Sequence, residues 1–365
     1  MSDPGAAFAV TLADARDAAV VGGKGASLGE LTRAGVAVPP GFVVTVDAFA
    51  SLMAVIDPSG AVRAELSALD AADLVGIGAA AARLRALVTG APLPDDVYAA
   101  IAVGYARLGT GDSATEILIN TDVAVRSSAT VEDSAEASFA GLQDTYLGVS
   151  GIPAVHEHVR RCWASLYNDE SVAYRRRLGL PEAGVSMAVV VQAMVAPRAA
   201  GVMFTRSPVT GDRSVVAIEA TWGLGSALVS GDVTPDAFIV SKITGEITTR
   251  RVSPKIKIHN YLSNGRGVTV SDTPIPLREA ASLADDEIRA LAAIGRRVEA
   301  HYGAPQDIEW AILDGGLTDS AVAADRIVLL QSRPETVWAA REQAPAGAPK
   351  PRPADHVLAL FGKPL

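Results

Sequence analysis

The sequence has almost none of the residues from which disulfides and zinc sites are built. It contains one cysteine, Cys162, and five histidines, at positions 156, 158, 259, 301 and 356. A single cysteine excludes an intramolecular disulfide and a multi-cysteine zinc site, and the histidines are too scattered to predict a histidine-rich metal site. Cys162 falls on an apolar helical stripe, where a packed core thiol is more typical than a nucleophile.

Long apolar runs are also missing. No stretch of the sequence approaches the roughly 20 residues that cross a bilayer. Residues 1–5 do not begin a secretory signal, which needs a basic segment followed by an apolar one. We therefore expect no membrane contact and a cytoplasmic location.

The chain has fewer positively charged than negatively charged residues. The chain of 365 residues has 32 lysines and arginines against 41 aspartates and glutamates, which gives a formal net charge of −9. An acidic chain does not present the basic surface that binds DNA or RNA, so we expect no nucleic-acid partner. Hydrophobic residues make up 49% and charged residues 20%, which is typical of a globular chain. At roughly 150 residues per domain, the length predicts two or three domains, or one large domain with subdomains.

Short strand-like runs alternate with helix-like stretches, which predicts a mixed α/β fold. The predicted strands are 42–46, 187–195, 215–221, 237–241, 308–313 and 327–332, and the predicted helices are 61–88, 95–108, 154–178 and 279–302. Residues 343–353, QAPAGAPKPRP, have the composition of an extended linker. The three adjacent arginines Arg175, Arg176 and Arg177 are expected on a solvated helix face.

Two segments have the composition of phosphate-binding loops. GGKGASL at 22–28 is a glycine-rich turn opening a helix, where backbone N–H groups and Lys24 favour an anion. VRSSATVED at 125–133 surrounds Arg126 with small and hydroxyl residues, and an arginine can bind phosphate through two hydrogen bonds. Taken singly, each segment is equally compatible with an ordinary turn and a solvated cation.

Two further segments could border a ligand. The strand ending in Val191, Gln192, Ala193 and Met194 has backbone groups at its exit that could hydrogen-bond an adenine edge. TWGLGS at 221–226 is a second glycine-rich loop after a strand, and it could cover phosphates. The alternatives are a central strand and a simple turn.

The last constellation is more informative. In 308–312 a period of two places Ile308, Trp310 and Ile312 on one face of a strand and turns Asp307 and Glu309 to the other. In 329–334 the same period places Gln331 and Arg333 on one face. If the two strands pair, oxygen ligands lie beside a fixed cation, an arrangement that suits Mg²⁺ with bound phosphates. A structural ion pair is the alternative.

Together these segments resemble the nucleotide-binding part of the phosphoenolpyruvate synthase and pyruvate phosphate dikinase family, which rifampicin phosphotransferases share. The similar stretches occur in the family's order and cover nearly all of residues 20–338. They are GGKGASLGEL (22–31), VPPGFVVT (38–45), VRSSATVEDS (125–134), SFAGLQDTYL (138–147), GVMFTRSPVTG (201–211), IEATWGLGSALVSG (218–231), QDIEWAI (306–312) and QSRP (331–334).

The resemblance implies an ATP-grasp-like fold with ATP in a cleft between two subdomains. We expect these subdomains at 1–190 and 191–340, followed by a proline-rich linker and short stub at 341–365. Their functional residues, by resemblance, are Lys24 and Arg126 as phosphate-binding cations, Gly141 and Thr145 as the phosphate-covering loop, Gln192 and Met194 as the adenine-side hinge, Asp307 as the ribose-side acid, Glu309 and Gln331 as Mg²⁺ ligands, and Arg333 as the arginine that bridges the transferring phosphates.

The chain departs from the family at two places. Ser226 stands where the family usually has a glutamate after its glycine loop, so the role of that acid is not carried over. The segment between Glu309 and Gln331 is also longer than expected, and residues 315–325 read as a surface loop. None of the histidines lies in the motif through which the family passes a phosphoryl group to a swivelling domain.

The resemblance therefore implies an ATP-activating module that depends on a histidine in a separate subunit or domain. The partner would hold the small-molecule acceptor, and AMP and phosphate would be the products. Two-component aryl phosphate synthases are similar in layout. Two other functions stay open on the sequence alone: an ATP-grasp ligase that forms an acyl-phosphate, and a non-catalytic nucleotide-binding subunit.

Overall fold

The structure, a computed structural model, describes most of the chain. The described residues are 7–70, 72–109, 121–130, 144–177, 179, 182, 184–262, 267–314, 323–336 and 338, with the backbone of two short strands at 133–134 and 137–138. Gly141 and the predicted linker and stub at 341–365 lie outside this part, so the expectations for them stay predictions.

Helices and strands alternate along the chain. The helices are α1 (Ala18–Arg33), α2 (Val46–Ile56), α3 (Ala61–Ala68), α4 (Leu74–Gly90), α5 (Asp95–Gly109), α6 (Ile152–Ser165), α7 (Asp169–Arg177), α8 (Ser226–Val229), α9 (Ile275–Arg278) and α10 (Asp285–Tyr302). The strands are β1 (Ala9–Thr11), β2 (Gly41–Val44), β3 (Val123–Ala129), β4 (Asp133–Ser134), β5 (Ala137–Ser138), β6 (Thr145–Val149), β7 (Met187–Ala193), β8 (Pro197–Phe204), β9 (Val215–Trp222), β10 (Asp236–Ser241), β11 (Ile247–Arg251), β12 (Lys257–Leu262), β13 (Gly267–Asp272), β14 (Gln306–Leu313) and β15 (Ile327–Pro334).

The first sheet has the strand order β1-β2-β7-β3-β6, and its neighbouring strands are antiparallel. Its two faces are covered differently. Val123, Val125, Val189 and other odd-numbered residues of β3 and β7 pack with α2, α4 and α6 in the larger core, where the Trp163 ring lies against Phe49. The even-numbered residues face α1, because successive side chains of a strand point to opposite sides.

The second sheet has the order β11-β10-β9-β8-β14-β15 and is also antiparallel. Its core includes Trp310, Ile308 and Phe238, which pack with residues of α10 such as Leu291. The mixed α/β prediction is confirmed, and the regular elements lie near their predicted positions. The division between the sheets falls between β7 and β8, a few residues after the predicted boundary at residue 190.

Two predicted helices are each divided in two. The stretch predicted at 61–88 forms α3 and α4, and the stretch predicted at 154–178 forms α6 and α7. The helix predicted from residue 279 begins instead at Asp285, where the Glu287 side chain accepts a hydrogen bond from the backbone N–H of Ala284 and so caps the first turn.

The expectation that the three arginines of α7 form a solvated face is wrong for the first of them. Arg175 is buried, and it donates to Glu182 and to the carbonyl of Leu166. Arg176 donates to the backbone carbonyls of Leu66 and Leu69. These partners lie in other segments of the chain, so the local charge pattern did not indicate them.

Contacts between distant segments join the two sheets. The Ser27 hydroxyl on α1 donates to the carbonyl of Ser332 on β15 at 2.5 Å. The hairpin β12–β13 is attached to the other half of the molecule, because the Tyr261 hydroxyl donates to Asp122, just before β3, at 2.7 Å. The two sheets are therefore tied together at more than one point.

No single helix within the described ranges is long and apolar enough to span a membrane. The neighbouring helices α4 and α5, which are bent by 68° relative to each other, are together long and apolar enough, by length and composition only.

A buried ion pair fixes the start of β10. The Lys255 ammonium and the Asp236 carboxylate are fully buried and 2.6 Å apart. The same carboxylate accepts hydrogen bonds from the backbone N–H groups of Ser253 and Ser282 and from the Ser282 hydroxyl. These bonds offset part of the cost of removing the two charges from water.

Replacing Asp236 by asparagine is expected to lower the free energy of unfolding by about 3–5 kcal/mol, because it leaves the Lys255 ammonium buried without a counter-charge. Denaturant unfolding measures the change. Asp272→Asn is the matched control, since Asp272 pairs with Lys257 at 2.7 Å where both side chains are exposed. That variant is expected to unfold like the wild type. Equal stability of the two variants would contradict the prediction.

Candidate functional site

Arg126 lies on the face of the first sheet that is turned toward α1. Strand β3 continues on the same face with Ser128, two residues later, as the period of a strand requires. The Ser128 hydroxyl donates to the carbonyl of Val21 and accepts from the N–H of Gly25. The glycine-rich segment of α1 is therefore fastened directly to the strand that holds Arg126.

The predicted glycine turn is a break inside α1 rather than its beginning. Gly22 has a φ of 68° and separates two helical stretches, so the predicted turn opens the second one. A Cβ atom at Gly22 would lie 1.9 Å from the carbonyl oxygen of Ser128. Glycine is required here both by the left-handed backbone and by the close approach of β3.

Lys24 follows this break, in the second helical stretch of α1. Its charge acts on Cys162, whose Sγ is 3.8 Å from the carbonyl oxygens of Val125 and Asp144. Burial raises the pKa of the Cys162 thiol well above its usual range, Asp144 raises it further and Lys24 opposes them. Cys162 is fully buried, which confirms the prediction of a packed core thiol.

Strands β14 and β15 pair, which was the condition attached to this constellation in the sequence. Asp307 lies opposite Arg333, and Glu309 lies opposite Gln331. Beyond this pair the register shifts, since Trp310 lies opposite Leu329, so Leu330 is an extra residue on β15. Such a bulge turns main-chain groups out of the ladder. Here the carbonyl of Leu330 accepts a hydrogen bond from Arg126 at 2.8 Å.

Arg126 joins the two sheets through this strand pair. Its second terminal nitrogen is 2.7 Å from Oε2 of Glu309 and 2.9 Å from Oε1 of Gln331. Its side chain is 12% exposed and that of Glu309 is 37% exposed, so the cluster lies at the edge of a cavity rather than deep in a core. The contacts join residues about 200 positions apart, and they bring together three of the predicted site residues.

The cavity beside this cluster has a volume of about 390 Å³. It is bordered by both sheets, the segment that connects them, and the glycine loop after β9. Its lining includes predicted site residues from both subdomains, together with the residue that departs from the family pattern: Arg126, Thr145, Gln192, Met194, Glu309 and Ser226.

The hinge between the sheets is held by hydrogen bonds to the first subdomain. The side-chain amide of Gln192 is buried and donates to the carbonyl of Pro39 at 3.1 Å. The N–H of Met194 donates to the carbonyl of Asp122 at 2.9 Å. This end of the cavity is therefore a fixed wall, and its lining continues with Val195 and Pro197.

Asp307 lies two residues before Glu309 on β14, and Arg333 lies two residues after Gln331 on the antiparallel strand β15. Arg333 Nε is 3.5 Å from Oδ2 of Asp307, and Oδ1 of Asp307 is buried without a hydrogen-bond partner among the described residues. Burial raises the pKa of Asp307 to about 6, Arg333 opposes this effect, and Glu335 adds to it. The pair lies on the side of Glu309 that is remote from the hinge.

The remaining predicted residues have separate outcomes. Thr145 begins β6 and lies opposite Arg126 in the first sheet, at the edge of the cavity. The structure does not describe Gly141, so its predicted role in a phosphate-covering loop stays a prediction. Ser226 begins the short helix α8 directly after the glycine loop.

The oxygen atoms at the cluster suit a magnesium ion. Oε2 of Glu309 and Oε1 of Gln331 both lie within hydrogen-bond distance of one nitrogen of Arg126, so two oxygen ligands converge on one point. In the described ranges no group of three histidine, cysteine, aspartate or glutamate side chains forms a metal cage. Proteins often bind Mg²⁺ through one or two side chains together with substrate phosphates and water.

Sequence reasoning missed several groups that shape the site. Ser128 holds the glycine segment, the Leu330 carbonyl anchors Arg126, and Asp122 fixes both the hinge and the hairpin. Ser128 belongs to a recognised motif but had no assigned role. The other two depend on a strand bulge and on a loop contact, for which the sequence offered no signal.

Comparison with known proteins places the chain among nucleotide-binding domains. The family model described as the pyruvate phosphate dikinase AMP/ATP-binding domain matches residues 18–352. The chain is 46% identical over 326 residues to a rifampicin phosphotransferase from Streptomyces sp, which covers 88% of the chain and 35% of that relative. It is 43% identical over 324 residues to a probable phosphoenolpyruvate synthase from Methanothermobacter thermautotrophicus, covering 88% and 44%. The chain thus spans less than half the length of these curated relatives.

The raised pKa of Asp307 predicts a pH-dependent difference between the wild type and Asp307→Asn. In the unfolded chain an aspartate loses its proton near pH 3.9, whereas folded Asp307 keeps it to about pH 6. Folded wild type therefore binds more protons between these values, and it loses stability as pH rises through them. The asparagine at this position does not titrate. The free energy of unfolding of the variant, relative to that of the wild type, is therefore expected to rise by about 2 kcal/mol from pH 4 to pH 7.

Urea unfolding of both proteins across this pH range measures the difference. Asp212→Asn is the control with the opposite sign, because hydrogen bonds from Ser214 lower the pKa of Asp212. Because the pKa of folded Asp212 is lowered, wild type is expected to gain stability over this control as pH rises to about 4 and to keep a nearly constant difference from about pH 4 to pH 7. A pH-independent difference for Asp307→Asn would contradict the raised pKa.

Proposed function

Because the chain belongs to the pyruvate phosphate dikinase AMP/ATP-binding domain family, we propose that it binds Mg-ATP between its two sheets and passes a phosphoryl or pyrophosphoryl group to a histidine on a separate domain or subunit. The observation that supports this function best is the junction of Arg126 with Glu309 and Gln331, at 2.7 and 2.9 Å. It unites a cation suited to phosphate with oxygens suited to magnesium at one wall of a cavity. The ATP-grasp-like fold agrees with this reading.

In this proposal three cations hold the triphosphate. Arg126 lies at the cavity wall, Arg333 lies two residues after Gln331 on β15, and Lys24 follows the glycine break of α1. An arginine binds phosphate through two directed hydrogen bonds, whereas a lysine acts as a point charge. Their task is to position the phosphates in line with the incoming group and to stabilise charge that develops on the oxygens.

Glu309 and Gln331 would hold the Mg²⁺ ion. The ion, when bound, neutralises negative charge on the transferring phosphate. Arg126 occupies these same oxygens in the structure. Phosphate binding is therefore expected to draw Arg126 toward the nucleotide, which frees the two side-chain oxygens for the metal.

The other predicted residues would surround the rest of the nucleotide. Gln192 and Met194 form the hinge wall, on which the adenine is proposed to lie. Thr145, and Gly141 in the preceding segment, would cover the phosphates. We propose that the subdomains up to the hinge and from residue 191 to 340 each supply one side of the cleft.

The acceptor histidine is proposed to come from a partner. The relatives are named as a rifampicin phosphotransferase and a phosphoenolpyruvate synthase, and the chain covers 35% and 44% of their lengths. The rest of such a protein has room for a histidine-bearing domain and for a site that binds the small-molecule acceptor. Because the incoming imidazole is the nucleophile, no side chain of this chain needs that role. AMP and phosphate are the proposed products: pyrophosphoryl transfer breaks the bond between the α- and β-phosphates and releases AMP, and water then removes the terminal phosphate and leaves a phosphohistidine.

The test incubates the chain with β- or γ-labelled ATP, Mg²⁺ and the histidine-bearing domain of a larger relative, and follows label on that domain by rapid quench. The expected result is an acid-labile, base-stable label together with AMP. Arg333→Ala is expected to reduce the labelling rate by at least about a hundredfold, as loss of a phosphate-stabilising group does. Arg296→Ala, on the exposed side of α10, is the control and is expected to label like the wild type.

Several results would contradict the proposal. ADP formation with a free carboxylic acid and an amine, without labelled histidine, would identify an ATP-grasp ligase. ATP binding by calorimetry without turnover with this domain or with a histidine protein encoded beside the chain would identify a non-catalytic subunit. Full labelling by Arg333→Ala would remove Arg333 from its proposed role.

The proposed metal ligands give a second prediction. Glu309→Gln is expected to weaken Mn²⁺ binding to the ATP complex by about tenfold or more, since a charged ligand is lost. Binding of metal-free ATP is expected to stay the same or to improve. Electron paramagnetic resonance of Mn²⁺ and calorimetry measure the two affinities. Glu246→Gln, at an exposed hairpin, is the control, and unchanged Mn²⁺ affinity in Glu309→Gln would exclude Glu309 as a ligand.

A further inference from the structure

A row of three polar side chains runs from the cavity wall to the protein surface. The Ser226 hydroxyl is 2.9 Å from Nδ1 of His259, and Nε2 of His259 is 3.1 Å from Oδ2 of Asp232. Ser226 lines the cavity, the His259 ring is buried, and the Asp232 side chain is 49% exposed. The three residues come from the start of α8, from β12 and from the loop after α8, so the arrangement is built by the tertiary fold.

The backbone holds this row in place. The N–H of Leu224 donates to the carbonyl of His259 at 2.9 Å. A Cβ atom at Gly223, whose φ is 68°, would lie 2.4 Å from the same carbonyl oxygen. The glycine loop is therefore pressed against β12, which fixes the distance between Ser226 and the histidine ring.

The carboxylate of Asp232 sets the directions of the hydrogen bonds along the row. An ionised carboxylate only accepts hydrogen bonds. The Ser230 hydroxyl donates to Oδ2 of Asp232 at 2.6 Å, and this bond, followed by that from His259, lowers the pKa of Asp232. Asp232 is therefore an anion at neutral pH, and Nε2 of His259 must carry the hydrogen that it donates to this anion.

The hydrogen on Nε2 of His259 also sets the direction of the hydrogen bond at the cavity end of the row. A neutral imidazole with its hydrogen on Nε2 has a bare lone pair on Nδ1. The hydroxyl hydrogen of Ser226 is then directed to Nδ1, which leaves only oxygen lone pairs to face the cavity. A serine hydroxyl that elsewhere either donates or accepts is here restricted to accepting.

The position of Ser226 identifies the part of a nucleotide that it would meet. Gly225, its neighbour, lies against Ala200 of β8, with 3.8 Å between an ideal Cβ and the alanine methyl group. Ala200 lies between the hinge, which ends at Pro197, and Val202, which is opposite Glu309. The separation from Ala200 to Val202 is about 7 Å along the strand. Ser226 thus borders the interval between the proposed base and phosphate positions, which the sugar of a nucleotide occupies.

We propose that Ser226, restricted by His259 and Asp232 to accepting, receives a hydrogen bond from a ribose hydroxyl and makes the site selective for ribonucleotides over deoxyribonucleotides. The proposal rests on the proposed ATP binding. Asp307, for which the family resemblance implied the ribose contact, lies beyond Glu309 on the side remote from the hinge. Ser226 is a specificity-determining residue in this reading, and His259 and Asp232 position its hydrogen.

Calorimetry with the full chain at pH 8, where imidazole side chains are ordinarily neutral, tests the proposal with ATP, 2′-deoxy-ATP and 3′-deoxy-ATP. At least one deoxy analogue is expected to bind the wild type about tenfold more weakly than ATP, the effect of one hydrogen bond. Ser226→Ala is expected to bind ATP as weakly as the wild type binds that analogue, and its affinity for the analogue is expected to be unchanged.

Asp232→Asn separates positioning from a merely structural role. Its amide can donate to Nε2, which moves the imidazole hydrogen to Nδ1 and turns the Ser226 hydroxyl hydrogen toward the cavity. ATP affinity is expected to fall about as far as in Ser226→Ala, while the analogue binds as before. The double variant Ser226→Ala, Asp232→Asn is expected to lose nothing further. Asp212→Asn, an exposed aspartate that also bonds a serine in a turn, is the control.

Four outcomes overturn the proposal. The first is equal affinity of the wild type for all three nucleotides, which leaves the proposed function intact. The second is sugar discrimination that survives in Ser226→Ala, and the third is an Asp232→Asn variant that discriminates like the wild type. If the wild type binds none of the three triphosphates, the proposed function itself fails and the proposal falls with it.

Discussion

The contact of Arg126 with Glu309 and Gln331 is the interaction on which the site depends. It is the point where a strand of the first sheet meets two strands of the second, and the guanidinium binds the bulged Leu330 carbonyl as well. A half-buried arginine with three acceptors has one preferred position. The contact therefore sets the width of the cleft and also holds together the groups that a triphosphate and a divalent cation would share.

The rest of the molecule supports this junction from both sides. On the first sheet, Ser128 ties the glycine break of α1 to the strand that positions Arg126. On the second, α1 reaches β15 through Ser27, whose hydroxyl donates to Ser332. These hydrogen bonds hold the backbone around Arg126, so the movement proposed for ligand binding is confined to its side chain. A fixed backbone around the charged groups is the condition under which they stabilise a transferring phosphate well.

Much of the fold and part of the site followed from patterns in the sequence. Alternation in 307–312 correctly placed Trp310 and Glu309 on opposite faces of one strand, and the glycine-rich segment at 22–28 was expected as a turn that opens a helix. Another prediction was wrong, and one contact was not predicted at all. Arg175 was expected in solvent but is buried against Glu182, and nothing indicated that His259 would stand beside Ser226. In each of these cases the partner lies in another segment of the chain.

The sequence by itself determined the alternation of side chains along each strand, the glycines that only a left-handed or crowded backbone accepts, and the residue types available for binding phosphate. These are local properties, because they depend on the few dihedral angles around each residue. Only the tertiary structure decided that Arg126 meets Glu309, that the β14–β15 ladder gains an extra residue at Leu330, and that Ser226, His259 and Asp232 form one row. These contacts depend on the packing of whole sheets, where the burial of apolar faces selects one arrangement and brings distant polar groups into hydrogen-bond distance.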